Sequence, residues 1–351
     1  MKRLTALLLT MLMLLATVPF AVFAAEGELV GDSVLLAPPV GKVSAVTYEL
    51  RDDSGNPIPD AALSLQGAPA GITARDGKLY ISGASVKAGS FTVTADGGGI
   101  TASKTVTMSD VRIYDDFESL SAGDTIGTDA LTLKKLDGTS LPIGIYQNSG
   151  ALVAEEANGN KYSKGKLSTL LDTVGISRST KMLTISTDLK FDANWQSGLE
   201  LTAGDGASTH VFASIGRKRL TETYWTAYRK YDGTIGEINN WGSVPPSANW
   251  TQFSVILDLF KGTYIYRDKN TVLFKDASQS PDGIFSVGST VTGTDKWLYQ
   301  LTSQANIDNF AIYSGVDVTS DVNPVISFIL LTPSRRLTKM TGTSLILKPI
   351  L

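Results

Sequence analysis

The densest run of side chains suited to recognition chemistry lies between Tyr224 and Trp241. It holds Tyr224, Trp225, Tyr228, Arg229, Tyr231, Glu237, Asn239, Asn240 and Trp241. An aromatic ring stacks on the apolar face of a pyranose, while amides, carboxylates or a guanidinium group fix the hydroxyls around its edge. Along an extended strand Tyr224, Thr226 and Tyr228 share one side, and Trp225, Ala227, Arg229 and Tyr231 share the other. One side must be core, so half of these aromatics serve packing alone. Trp225, Arg229 and Tyr231 form the candidate carbohydrate-binding face, with Asn240 and Trp241 on an adjoining loop. Trp195, Trp250 and Trp297 read as core residues at strand ends.

Covalent catalysis finds little material. The chain has no cysteine and a single histidine, His210, which starts an alternating strand and reads as a structural imidazole. Glycoside hydrolysis needs two carboxylates about 5–10 Å apart across the sugar, and Glu200, Glu222 and Glu237 stand isolated in sequence. With 31 basic and 34 acidic residues the net charge is −3, so no basic field exists for nucleic acid.

The elements that must position these residues are strands. Lys2 and Arg3 precede an apolar stretch that ends in Val22-Phe23-Ala24, the pattern of a secretory signal cleaved after residue 24. The acidic segment that follows has no basic stop-transfer cluster, so no membrane span is expected after cleavage. Without disulfides, a secreted chain must rely on cores large enough to stand alone. From 33 to 108, short alternating runs at 43–50, 63–65, 79–81, 91–95 and 101–108 are separated by turn clusters such as Asp53-Ser54-Gly55-Asn56-Pro57 and Asp76-Gly77. That spacing predicts a small β-sandwich. Ser109 and Asp110 mark a short hinge. Beyond it, 181–191 alternates Leu183, Ile185, Thr187 and Leu189 with Thr184, Ser186, Asp188 and Lys190, the period of a half-buried strand. Further strands are read at 198–202, 210–216, 223–231, 252–258, 263–267 and 271–275.

Two resemblances follow from particular residues. The stretch from Gly67 to Ala95, with Gly-Ala-Pro-Ala-Gly-Ile-Thr, Asp-Gly-Lys-Leu and Ala-Gly-Ser-Phe-Thr-Val-Thr-Ala, resembles bacterial Ig-like and cadherin-like repeats of cell-surface proteins, in which such a domain acts as a spacer. Tyr114-Asp115-Asp116-Phe117-Glu118-Ser119 and Ile307-Asp308-Asn309-Phe310-Ala311-Ile312-Tyr313 resemble the opening and closing strands of a concanavalin A-like (laminin G-like) jelly roll. The Trp250-led strand followed by a hairpin with Asp268-Lys269-Asn270 is similar to the same pattern. The reading is therefore all-β: a signal peptide (1–24), an N-terminal Ig-like β-sandwich (33–108), a concanavalin A-like jelly-roll sandwich (110–315), then a linker or disordered tail (316–351).

The jelly-roll resemblance implies a secreted or cell-surface module that binds a polysaccharide or cell-surface glycan as part of a larger exoprotein. Its alternatives are a glycan-cleaving enzyme, either glycoside hydrolase or polysaccharide lyase, and a structural surface-layer adhesion module without a small ligand. Glycosidases on that fold carry Glu-x-Asp-x-x-Glu on one strand, and no such string occurs here. Related jelly rolls hold a structural calcium between first and last strands, which would fall to Asp115, Asp116, Glu118 and Asp308. The tail from 324 to 351 shows no strand period. A shift of reading frame would turn part of it into an acidic linker, so it reads either as a disordered tail or as an out-of-frame translation.

Overall fold

A computed structural model of the chain describes residues 27–116, 132–142, 180–190, 197–203, 210–218, 223–229, 235–243, 250–258, 262–267, 271–276, 298–303 and 306–319. Short pieces at 125–126, 146–147, 152–153, 163–165, 171, 174–176 and 260 complete the described residues. The signal at 1–24 and the tail from 320 lie outside them. The regular structure is strand and the chain is all-β, built from sheets that form sandwiches. No described helix is long and apolar enough to cross a membrane.

The first sandwich contains β1 (Glu28–Val30), β2 (Val34–Leu35), β3 (Val43–Thr47), β4 (Glu49–Arg51), β5 (Ala62–Gln66), β6 (Ile72–Arg75), β7 (Lys78–Ser82), β8 (Gly89–Gly97) and β9 (Ile100–Met108). One sheet runs β2-β9-β8-β5 and the facing one carries β3-β7-β6. Alternation explains the packing: Phe91, Val93 and Ala95 of β8 point inward with Val106 and Met108 of β9, against Val46, Leu79 and Ile81 of the other sheet. On the outer face Ser90 pairs with Thr107 and Thr94 with Ser103 through their hydroxyls. Asp76-Gly77 joins β6 to β7 as a two-residue turn with φ of 51° and 67°. That is the left-handed pair a tight hairpin of this twist requires.

The second region contains β10 (Val111–Asp115), β11 (Thr125–Ile126), β12 (Thr132–Lys135), β13 (Ser140–Pro142), β14 (Tyr146–Gln147), β15 (Leu152–Val153), β16 (Ser163–Gly165), β17 (Met182–Lys190), β18 (Ser197–Ala203), β19 (His210–Lys218), β20 (Thr223–Arg229), β21 (Ile235–Ser243), β22 (Thr251–Asp258), β23 (Gly262–Arg267), β24 (Thr271–Asp276), β25 (Leu298–Ser303) and β26 (Asn306–Ser314). One sheet has the order β13-β12-β10-β26-β17-β22-β23-β24 and a second the order β14-β16-β25-β18-β19-β20-β21. The segments read as opening and closing strands do pair: Ile113 stands opposite Ile312, Tyr114 opposite Ala311 and Asp115 opposite Phe310.

Three expectations change. β17 is not half-buried: from Met182 to Thr187 both faces are covered. Its hydroxyls are satisfied internally, Thr184 donating to the Gly315 carbonyl and Thr187 to that of Asp308. The joint at Ser109 is no loose hinge, because Ser109 N–H donates to Leu35 O at 2.9 Å, Val111 N–H donates to Ser109 Oγ at 3.1 Å, and Asp110 pairs with Lys135 at 3.0 Å. The expected tail also begins as structure: β27 (Val316–Asp317) returns to the first sandwich and pairs with Ala45 and Ser44 of β3. Two residues are too short to show a period, so sequence pattern could not reveal this strand.

These contacts make a dense seam between the two sandwiches. Met182 joins the core of the first. Leu36 exchanges two hydrogen bonds with Ser314, its N–H to the hydroxyl at 2.9 Å and its carbonyl to the Ser314 N–H at 3.1 Å. Arg112 Nη2 donates to Gly83 O at 2.5 Å. Asp32 is buried, and its carboxyl accepts the N–H groups of Lys181 at 2.5 Å and Met182 at 3.1 Å, clamping the start of β17. Burial outweighs those donors and the nearby Lys104 and Lys181 ammonium groups, so this carboxyl is pushed up to about 7.

Candidate functional site

The sequence-predicted carbohydrate face falls on β20 and β21, at one edge of the seven-stranded sheet. Trp225 stands opposite Asn239, Ala227 opposite Glu237 and Arg229 opposite Ile235. Asn240 and Trp241 lie within β21 rather than on a loop, where the register shifts between Thr223 and Trp225. Tyr231, Trp195 and Trp297 lie outside the described residues. His210 opens β19, as expected of a strand-initial residue.

A second constellation lies on the eight-stranded sheet and was only partly visible in the sequence. β26 bulges where Asn309 and Phe310 together oppose Thr187, between the pairs Ser186–Ala311 and Asp188–Asp308. Asn309 takes φ of +47°, a left-handed conformation that asparagine tolerates better than other side-chain-bearing residues. The bulge re-aims its amide across the sheet. Asn309 Nδ2 donates to Asp188 Oδ2 at 2.9 Å, and Tyr114 OH donates to Asn309 Oδ1 at 2.9 Å. Asp308 Oδ1 accepts the Asn309 N–H at 2.7 Å.

Register extends this network into a strip. Gln252 of β22 stands opposite Asp188 of β17, which stands opposite Asp308 of β26. Phe253, Val255 and Leu257 of β22 are buried on one face and Ile256 and Asp258 on the other, so only Gln252 and Ser254, near the start of the strand, are partly open. Two residues before Gln252 comes Trp250, 37% exposed. The reading of Trp250 as core is therefore corrected: it sits just ahead of β22, where the chain has not yet entered the sheet. Trp250, Gln252, Asp188, Asn309 and Tyr114 thus span four neighbouring strands, about 14 Å at ordinary strand spacing. Burial first, then the charges of Asp116, Asp308, Asp188 and Asp115, push the Tyr114 hydroxyl up and keep it a donor.

The residues read as calcium ligands approach this strip. Asp115 ends β10, Asp116 follows it and Asp308 lies in β26, while Glu118 is outside the described residues. Among the described residues no three acidic or imidazole side chains gather closely enough to hold a metal ion.

No protein-family model matches the chain, and no curated protein shows significant similarity to it. Among solved structures it is similar to the receptor-binding domain of botulinum neurotoxin C/D mosaic serotype, at 8% identity and a TM-score of 0.34, covering 63% of this chain and 52% of that one. It is also similar to the receptor-binding domain of botulinum neurotoxin D, at 9% identity and a TM-score of 0.34, with 63% and 53% covered. A third is the serotype D ligand-binding domain in complex with N-acetylneuraminic acid, at 9% and 0.33, with 62% and 53% covered. The chain spans about half the length of each. Likenesses this slight carry no argument about the site.

Proposed function

We propose that this protein is a non-catalytic glycan-binding module of a secreted or cell-surface protein, with the first sandwich as spacer and a jelly-roll-type second sandwich as the ligand-bearing part. The observation that carries this reading is the strip Trp250–Gln252–Asp188–Asn309–Tyr114. It offers one exposed aromatic platform followed by acceptors and donors fixed on paired strands, the composition a row of sugar hydroxyls requires. Its length suits two or three pyranose rings. Preorganisation favours binding, since the bulge and the Tyr114–Asn309–Asp188 chain hold the polar groups before ligand arrives. Trp225 and Trp241, on the neighbouring strands β20 and β21, are a second candidate contact for the same ligand class.

A glycan array probed with the whole mature chain tests the reading. Trp250→Ala should abolish retention of the bound glycan, and Trp225→Ala should do so if the second surface contributes. Release of reducing ends or unsaturated products from a bound glycan would instead assign a cleaving enzyme. Failure to retain any glycan would leave the adhesion-module alternative.

A further inference from the structure

The outer face of strands β5, β8 and β9 in the first sandwich is a grid of small side chains. Because strands alternate, β8 and β9 turn Phe91, Val93 and Val106 inward and a nearly unbroken set of hydroxyls outward. Register lines these up in rows, with Thr92 opposite Thr105, Thr94 opposite Ser103 and Ser90 opposite Thr107. β5 extends two of the rows, setting Gln66 beside Thr92 and Ser64 beside Thr94. All of these positions are exposed or half-buried. One charge enters the grid, Asp96, in the end row with Thr101 and Ala62. Lys104 of β9 faces the other way and donates to Gly31 O at 2.7 Å.

The hydroxyls are held in place before any ligand arrives. Ser90 and Thr107 share a hydrogen bond of 2.9 Å and Thr94 and Ser103 one of 2.8 Å, which sets their rotamers and leaves lone pairs for a ligand. Each threonine also sets a methyl beside its hydroxyl. The grid therefore alternates apolar and hydrogen-bonding points, about 5 Å apart across the strands and about 7 Å apart along them. A neutral sugar chain offers the matching mixture, C–H faces bordered by hydroxyls. At these spacings the face spans about 400 Å², half the area per partner that a stable protein complex buries, so an extended polymer suits it better than a second folded surface.

We infer that this face is a contact site for an uncharged polysaccharide lying flat across β5, β8 and β9. The first sandwich is then a glycan contact in its own right and not only a spacer. Each neutral hydrogen bond gains little against water, so binding is weak per row and grows with the number of rows one chain crosses. The face does not depend on the strip from Trp250 to Tyr114, which lies on the other sandwich.

Affinity electrophoresis of the whole mature chain, in gels holding hydroxyethylcellulose, mixed-linkage β-glucan or galactomannan and compared with ligand-free gels, tests the inference; polygalacturonate is the charged control. Trp250→Ala, which removes the platform of the strip, should still be retarded by at least one uncharged polymer. Adding Ser64→Lys with Thr105→Lys, exposed positions on different strands and rows, should weaken that retardation by about tenfold, because two neutral contact points become strongly hydrated charges. Thr94→Val with Thr105→Val, which keeps shape and methyls but removes the hydroxyls, should weaken it as well. Unchanged melting is expected of both pairs, since the altered side chains face water, and it separates a lost site from a lost fold. Retardation of Trp250→Ala by none of the three polymers, retardation indifferent to both pairs, or stronger retardation by polygalacturonate overturns the inference. A dimer in sedimentation that the lysine pair dissociates would assign the face to a second copy and overturn it too. Loss of retardation with Trp250→Ala alone upholds the strip and sinks this face, whereas loss only with the first-sandwich pairs does the reverse.

Discussion

Replacing Asp32 by asparagine should invert the order of stability between wild type and variant as pH rises. In the folded chain this buried carboxyl titrates near 7, against 3.8 for an ordinary aspartate. Between those values the folded state keeps a proton that the unfolded state has released. Stability from this group is therefore complete below pH 3.8 and lost as pH rises through 7. The full excursion is about 4 kcal/mol. The asparagine side chain of the variant would be neutral at every pH and so would escape that loss. Its amide oxygen can accept one of the two clamped N–H groups, while its nitrogen meets the other donor, at a pH-independent cost of about 1–3 kcal/mol. Below pH 3.8 the variant should then be weaker by that amount; at pH 5, where about 1.6 kcal/mol of the excursion is already lost, the two should lie within about 1.5 kcal/mol of each other, and at pH 8 the variant should exceed wild type by about 1–3 kcal/mol. Urea unfolding followed by tryptophan fluorescence at several values between pH 5 and 8 reads the difference directly, since every other titrating group is common to both chains. Parallel curves, with a constant gap across that range, would refute the reasoning and show that Asp32 stays ionised in the fold.

Ending the chain after Gly315 should cost about 3 kcal/mol, because the β27 ladder, the Val43–Thr319 and Val318–Val43 hydrogen bonds and the Lys42–Asp317 pair at 3.1 Å are lost together. Ending it after residue 323 should leave the melting temperature unchanged, and calorimetry distinguishes the two truncations. Thr184→Val keeps shape and strand preference but removes the donor to the buried Gly315 carbonyl, so a loss of about 1–3 kcal/mol is expected in chemical denaturation. Trp250→Ala should lower stability by no more than about 1 kcal/mol, since the ring is partly in water; a loss of about 3 kcal/mol or more would return Trp250 to the core.

The strands were legible wherever local physics decides them. Alternation at Phe91, Val93 and Ala95 and the turn pair Asp76-Gly77 each report a structure set by neighbours in sequence, and the pairing of Tyr114 with Ala311 followed from a resemblance carried by both segments. What escaped depends on distant partners. The clamp from Asp32 to Lys181 spans 149 positions and the contact from Leu36 to Ser314 spans 278, so nothing near either residue announces it. Trp250 looked like core because large aromatics usually are, and only the strand boundary at Thr251 shows that it stands outside. The strip from Trp250 to Tyr114 was half visible: Asp308 and Asn309 belong to a segment that reads as a closing strand, but the bulge that aims Asn309 at Asp188 is a property of the pairing and not of either strand alone.

Because β27 returns to β3, the first sandwich holds both β1 and β27, and the second sandwich is looped out between β9 and β27. Tension applied to the chain beyond these two strands would enter and leave through the same small domain. The load path would run across the β3–β27 ladder and the Lys42–Asp317 pair, bypassing the sheets that carry the Trp250 strip. A chain pulled at these two points would load the first sandwich while β10, β17, β22 and β26 stay mechanically slack. The first element to yield would be a two-residue ladder, whose opening lengthens the chain between the two points before any strand of the second region is strained.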